Sequence, residues 1–141
     1  MTAPPAPFIH RRRITFADTD AANIAYTGRF PNFALDAIDA WFVDRLHTDW
    51  YRLNNDHGLG TPFVHLSMDF ASPLTPRDEL ATTVRLTKAG RSALTFAVTG
   101  RVGERISFTG TFVCVFIAHA TGKSCDIPEP FRTRALAEAK A

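Results

Sequence analysis

Gly28-Arg29-Phe30-Pro31-Asn32-Phe33-Ala34-Leu35-Asp36-Ala37-Ile38-Asp39-Ala40-Trp41-Phe42-Val43-Asp44-Arg45-Leu46-His47 is the stretch that decides the fold. Its apolar residues Phe30, Phe33, Ala34, Ala37, Ile38, Trp41 and Phe42 recur at intervals of three and four, which is one stripe of an α-helix. Arg29, Asn32, Asp36, Asp39 and Val43 fall mostly on the other side. A stripe this broad and this aromatic must be buried against something large.

The rest of the chain supplies that surface. Upstream, residues 8–17 read as a strand. Downstream, a short helix is expected from Asp49 to His57, stopped by Gly58 and Gly60. The period then changes from 3.6 to 2. Val64, Leu66, Met68 and Phe70 alternate with His65, Ser67 and Asp69, and Leu80, Thr82, Val84 and Leu86 alternate with Ala81, Thr83, Arg85 and Thr87. Leu94, Phe96 and Val98 mark a further strand, and residues 106–118 read as one long last strand. Pro73 and Pro76, Gly90 and Val102-Gly103-Glu104 separate these elements, the last as a hairpin turn. Consecutive strands imply an antiparallel meander whose apolar face covers the helix. The expectation is an α+β fold, a five-stranded antiparallel sheet wrapped around one long central helix, with a short C-terminal helix over residues 128–140.

At 141 residues the chain fits one domain, 1–141, with residues 1–7 expected to be flexible. A formal net charge of +2 excludes a dedicated nucleic-acid binder. Arg11, Arg12 and Arg13 read as a solvated strand start. Cys114 and Cys125 lack metal or redox spacing, and Cys114 falls in an apolar pattern that predicts burial. No secretory signal and no membrane-length apolar run is visible, so the expected location is cytoplasmic.

Chemistry has few places to reside. GxSxG, HExxH, P-loop and GxGxxG patterns are all missing, and the five histidines are scattered. Asp18 and Asp20 flank Thr19 between a strand end and a helix start. Turn and capping chemistry explains such residues. The same position also suits a carboxylate beside the free N–H groups of a helix start, which can hold an oxyanion. Thr27 opens the helix, as an N-cap or as a backbone donor, and Gly28 allows close approach to the backbone. Lys88-Ala89-Gly90-Arg91-Ser92 is a basic turn, either an ordinary hairpin or a phosphate-binding one, and Lys123 adds a further charge.

Asp18-Thr19-Asp20-Ala21-Ala22-Asn23-Ile24-Ala25-Tyr26 resembles the active-site loop of hotdog-fold acyl-CoA thioesterases of the 4-hydroxybenzoyl-CoA thioesterase type. The resemblance extends through Thr61-Pro62-Phe63-Val64, Arg91-Ser92 and Lys123-Ser124-Cys125-Asp126-Ile127-Pro128. It implies the hotdog fold and hydrolysis of an acyl-CoA, of benzoyl or hydroxybenzoyl type, to free acid and CoA. Asp20 would be nucleophile or general base, and the backbone N–H of Thr27 the oxyanion donor. Tyr26 and Thr61 would line the acyl pocket, with Arg91, Ser92 and Lys123 at the CoA phosphates and nucleotide. It also implies a homodimer or a dimer of dimers with sites at the subunit interface, no metal, and no cofactor beyond the CoA of the substrate. Asn23 and Thr27 stand where a Gly and a larger polar or aromatic residue are common, which bears on acyl specificity more than on chemistry. Short aliphatic acyl-CoA or acyl-carrier-protein hydrolysis, and a non-catalytic acyl-CoA-binding module, are the competing expectations.

Overall fold

The computed structural model describes residues 6–140, so most of the segment expected to be flexible lies outside it. Strand β1 (Phe8–Arg13) leads through a 3-10 turn (Phe16–Asp18) and a loop to a second 3-10 turn (Thr27–Arg29) and helix α1 (Phe30–Trp41). A π-turn (Phe42–Leu46), helix α2 (Trp50–Asp56) and the short strand β2 (Leu59–Gly60) follow. Then come β3 (Phe63–Phe70), β4 (Glu79–Ala89), β5 (Ala93–Val102), β6 (Arg105–Val115), β7 (Ile117–Ala118) and helix α3 (Phe131–Ala139). Among the described residues no helix is long and apolar enough to cross a membrane.

The expected helix forms, and its stripe is its buried face: Phe30, Phe33, Ala34, Ala37, Ile38 and Trp41 are all buried. Pro31 stands in the first turn, where its missing N–H costs nothing. The helix is not uniform to His47, as the period alone predicts. It widens into the π-turn, and His47, left-handed at φ 57°, closes it by donating to Phe42. Asp49 caps α2 by accepting from the Arg52 N–H at 2.7 Å.

Five strands form one antiparallel sheet in the order β1-β4-β5-β6-β3, and β2 pairs with β7 separately. This is the hotdog fold. Leu80, Val84, Leu86, Leu94, Phe96, Val98, Phe108, Phe112 and Cys114 face α1 and are buried. Each large apolar side chain so buried contributes about 1.5–3 kcal/mol. Trp41 meets Phe96 edge to face, with ring centroids 4.9 Å apart. Burial pushes the Cys114 thiol up to about 12, in keeping with its predicted place in the core.

Two expectations are corrected. The four downstream strands are not one meander: only β4, β5 and β6 are sequential neighbours, and β3 crosses to pair with β6. The connection from Ala71 to Asp78 carries Pro73 and Pro76 and is too long for a tight hairpin. It is anchored instead by fully buried Leu74. The predicted long last strand likewise breaks at Phe116, where the Phe116 N–H turns away to the Ser92 carbonyl at 2.7 Å.

The second correction follows from the first. As an edge strand, β3 does not bury its apolar row: Val64 is 63%, Leu66 44% and Phe70 52% exposed. A register shift between Phe63 and His65 adds to the irregularity. His65 is exposed, as expected.

Gly100 on β5 lies opposite Phe108 on β6. A Cβ at residue 100 would stand 2.2 Å from the Phe108 ring. Phe108 in turn packs edge to face on Phe30, the first residue of α1, at 5.7 Å between centroids.

Candidate active site

The loop that follows β1 is built on Asp18. Its carboxylate is buried and accepts from the Arg12 guanidinium at 2.8 Å, the Thr15 N–H at 2.9 Å and the Thr15 hydroxyl at 3.1 Å. Arg12 also lies over the Phe33 ring, 4.6 Å from its centroid. The middle arginine of the basic run is therefore not solvated but ties β1 to the loop and to α1. Burial by itself raises the Asp18 carboxyl, but the hydrogen bonds from Arg12 and Thr15 outweigh it and hold the group below its ordinary value. A carboxyl lowered in the folded state stabilises above its unfolded value and loses that contribution as pH falls through the folded one. Asp18→Asn is expected to cost about 1–3 kcal/mol at neutral pH, leaving Arg12 without its carboxylate. Chemical denaturation at pH 7 and below pH ~4 checks this, and the difference between wild type and variant should shrink at the lower pH.

Asp20 is placed differently. It is exposed, and its carboxylate accepts a hydrogen bond only from the Ala22 N–H, at 2.8 Å, among the described residues. The Asp20 N–H donates to Ile24 at 3.1 Å, and the Asn23 N–H donates back to Asp20 at 3.0 Å. This tight turn needs a left-handed residue, which Asn23 supplies at φ 65°. Thr19 bridges Ala25, the Tyr26 N–H donates to Asp18 at 2.9 Å, and the Ala25 N–H donates to Leu74 at 2.8 Å. The loop is thus held on both sides.

The helix start completes this half of the site. Tyr26 precedes the 3-10 turn, and no side chain caps it, so Thr27 is not an N-cap. Among the described residues the N–H groups of Thr27 and Gly28 have no hydrogen-bond acceptor, whereas that of Arg29 donates to Tyr26 at 2.8 Å. Two free donors therefore stand at the positive end of a helix, next in sequence to an exposed aromatic, Tyr26. A Cβ at Gly28 would lie 2.5 Å from the Tyr26 ring, so the glycine lets that ring sit across the turn.

Thr61 is not in this half of the site. It is nearly buried and lines a cavity of about 450 Å³ with Leu35, Trp50, Asn54, Phe63, Ile117 and His119. Phe70, at one end of β3, packs on Phe30 at the helix start, with centroids 5.1 Å apart. Phe63, at the other end, packs on Trp50 at 5.6 Å. Eight residues of strand separate the two regions, roughly 24 Å.

Arg91 and Ser92 lie on the turn between β4 and β5, and Lys123 is exposed at the turn after β7. Their segments are joined. The Phe116 N–H donates to the Ser92 carbonyl, the Ile127 N–H to the Arg91 carbonyl at 2.9 Å, and the Ala118 N–H to the Lys123 carbonyl at 3.0 Å, while the Ala118 carbonyl accepts from the Gly122 N–H at 2.8 Å. The Arg91 guanidinium pairs with exposed Asp126. Arg132, on α3, donates to the Gly90 carbonyl at 3.1 Å and braces the turn. Sequence reasoning missed Arg132, because nothing local ties residue 132 to residue 90. It also missed the His119–Asn54 contact, Nε2 to Oδ1 at 2.9 Å. A further cavity of about 420 Å³, lined among others by Phe8, Trp41, Arg45 and Glu138, includes none of the expected site residues.

The chain is similar to several known proteins. A 1,4-dihydroxy-2-naphthoyl-CoA hydrolase from Thermosynechococcus vestitus is 27% identical over 124 residues, covering 86% of this chain and 83% of that protein. A solved thioesterase-superfamily protein from Jannaschia sp. CCS1 is 41% identical, with a TM-score of 0.90 over 100% of this chain and 99% of that one. A 1,4-dihydroxy-2-naphthoyl-CoA thioesterase from Synechocystis, 23% identical, shares the fold with a TM-score of 0.85 over 93% of this chain and 96% of its own. The Thioesterase-like superfamily matches residues 14–135, and with the helix-start loop and the wrapped sheet in hand, the chain belongs to that family of hotdog-fold thioester hydrolases.

Proposed function

We propose that the protein hydrolyses an aromatic acyl-CoA to the free acid and CoA, with Asp20 as the reacting carboxylate. The observation that carries this reading is an exposed carboxylate on the loop that leads into a helix start whose first two N–H groups are unsatisfied. Asp20 attacks the thioester carbonyl carbon or takes a proton from the attacking water. The carbonyl oxygen gathers negative charge in either case, and the Thr27 and Gly28 N–H groups receive it. A single oxyanion donor is typically worth ~10²–10³ in rate. The C–S bond then breaks, the CoA thiolate leaves and is protonated, and water supplies the oxygen of the product acid. No metal or further cofactor is called on.

The proposal includes a second copy of the chain. An edge strand with Val64, Leu66 and Phe70 exposed invites pairing with its own copy. Antiparallel β3–β3 pairing about a two-fold axis normal to the sheet keeps both helices on one face. It also sets the Phe63 end of one strand beside the Phe70 end of the other. Thr61 and its cavity in one copy then face Asp20, Tyr26 and Thr27 of the other, and the two half-sites become one. The aromatic walls of that cavity, Trp50 and Phe63, favour an aromatic acyl group over a short aliphatic one. The 1,4-dihydroxy-2-naphthoyl-CoA activity of the Thermosynechococcus relative points the same way.

Thiol release from a panel of benzoyl-, hydroxybenzoyl-, 1,4-dihydroxy-2-naphthoyl-, acetyl- and hexanoyl-CoA tests the reading. Preference for the aliphatic members would overturn the aromatic assignment, and CoA-ester binding with no hydrolysis would make the protein a binding module. In this reading Arg91, Ser92 and Lys123 hold the CoA phosphates. Because Arg91 is exposed and already paired with Asp126, a pair worth little at a surface, a phosphate displaces the carboxylate readily. Arg91→Ala is expected to raise KM about tenfold, the worth of a charged hydrogen bond, and to leave kcat within about twofold. Initial rates against acyl-CoA concentration decide it. An unchanged KM removes Arg91 from the CoA contact.

A further inference from the structure

The cavity around Thr61 has a polar group with a defined unused valence. Among the residues that line it, which include Trp50, Asn54, Thr61 and Phe63, His119 is the one titratable group. The cavity is an open groove of about 450 Å³, large enough to take a small ring. His119 is held in place. Its backbone N–H donates to Gly58 at 2.9 Å and its Nε2 meets Asn54 Oδ1 at 2.9 Å. The Asn54 amide is itself oriented, since its Nδ2 donates to the Trp50 carbonyl at 2.7 Å. The Asn54 oxygen can only accept, so the proton on neutral His119 sits on Nε2. His119 and Asn54 are both exposed, so Nδ1 is an acceptor that faces solvent and has no protein partner among the described residues.

A second, independent observation comes from the same wall. Trp50 Nε1 is the one buried side-chain polar atom without a hydrogen-bond partner among the described residues. An unsatisfied buried donor is uncommon in a folded protein. A solvent-facing acceptor and an unpaired buried donor among the residues of one aromatic-lined groove suit a ligand that carries a hydroxyl, which can replace water on Nδ1.

We propose that His119, oriented by Asn54, is a specificity-determining residue of the acyl pocket, its Nδ1 accepting a hydrogen bond from a hydroxyl on the aromatic ring of the acyl group. This rests on the thioesterase reading and deepens it. Asn54 acts through His119 as a positioning residue. Within one chain the wall carries no Asp, Glu, Lys or Arg, so a neutral hydroxylated ring suits it, and a ring bearing a second carboxylate finds no counter-charge there.

The test compares matched pairs that differ only in ring hydroxyls: 4-hydroxybenzoyl-CoA with benzoyl-CoA, and 1,4-dihydroxy-2-naphthoyl-CoA with 2-naphthoyl-CoA. Wild type is expected to favour the hydroxylated member of at least one pair by about tenfold in kcat/KM. His119→Phe keeps a ring of similar size but removes the acceptor, and should reduce that ratio to near one by slowing only the hydroxylated substrate. His119→Gln restores an acceptor oxygen and should recover part of the ratio, while Asn54→Leu should lower it by a smaller factor. Purely structural damage would slow both members alike and leave the ratio unchanged, which would overturn the proposal. The failure of the underlying reading is separable. If no acyl-CoA is hydrolysed, calorimetric binding of 4-hydroxybenzoate against benzoate still reports on the pocket, and equal affinities for wild type would sink the role of His119. Loss of preference for the hydroxylated acid in His119→Phe supports the role whether or not turnover is seen. Should His119→Phe not fold, as judged by its melting curve, the ratio in His119→Gln and Asn54→Leu decides, an unchanged ratio in both counting against the proposal.

Discussion

Asp20→Asn is expected to lower kcat by about 10²–10⁴-fold while KM stays close to that of wild type. The amide is nearly the size of the carboxylate and can still accept from the Ala22 N–H, so the turn from Asp20 to Ile24 should survive. What it cannot do is carry a full negative charge toward a carbonyl or take a proton from water. The loop does not depend on the charge of Asp20, because Asp18 and Arg12 hold it from the buried side. The two neighbouring aspartates therefore make opposite predictions. Asp18→Asn should reduce stability first and activity as a consequence, whereas Asp20→Asn should reduce activity and leave the melting temperature nearly unchanged. Thiol release under saturating acyl-CoA, with a melting curve on the same preparation, separates them. An Asp20→Asn protein with wild-type kcat would move the reacting group elsewhere.

The second large effect concerns the edge strand. Val64→Lys combined with Leu66→Lys is expected to give a folded monomer with activity reduced by at least about 100-fold. Both side chains are more than a third exposed in the isolated chain, so charge there costs the fold little and opposes strand pairing strongly. Sedimentation gives the mass, and thiol release gives the activity. A stronger form uses mixing. Thr61→Trp fills the cavity and Asp20→Asn disables the carboxylate, so each variant alone should be nearly inactive. If the site draws Asp20 from one copy and Thr61 from the other, unfolding and refolding an equal mixture returns activity. Half of the dimers are then mixed, and each has one intact site, so about a quarter of wild-type activity should appear. No recovery, with mixed dimers demonstrated by mass, would place the whole site in one chain.

The fold was legible where a period matched an environment. Phe30, Phe33, Ala34, Ala37, Ile38, Trp41 and Phe42 form a stripe because they are buried along one helix, and burial is what the period reports. The same logic misled at β3, where Val64, Leu66 and Phe70 alternate as if for a core that the single chain does not offer them. Alternation records that a face is covered, not by what. Strand order was illegible for a related reason. β3 and β4 are consecutive, but Leu74 inserts between them and carries the chain over the end of the sheet, and no local pattern says which strand β3 then meets. In the site, the sequence placed Asp20 between a strand end and a helix start, and it stands there on an exposed turn; its role as the reacting carboxylate is the proposal that the resemblance suggested. Arg12 was misread because its partner Asp18 lies beyond a strand end. Arg132 and the His119–Asn54 pair were out of reach, since their partners stand 42 and 65 residues away.

Gly100 carries a consequence for the helix start although it is far from it in sequence. The Phe108 ring occupies the space that a side chain at residue 100 would fill, and the same ring abuts Phe30. Phe30 is two residues beyond Gly28, so the height at which the helix begins is set by how far Phe108 can sink into the sheet. A missing methyl group on the central strand thus acts as a depth gauge for the proposed oxyanion donors. Refilling it would leave every polar group of the site intact and lift the whole helix start out of focus, as a lens is spoiled by moving its mount.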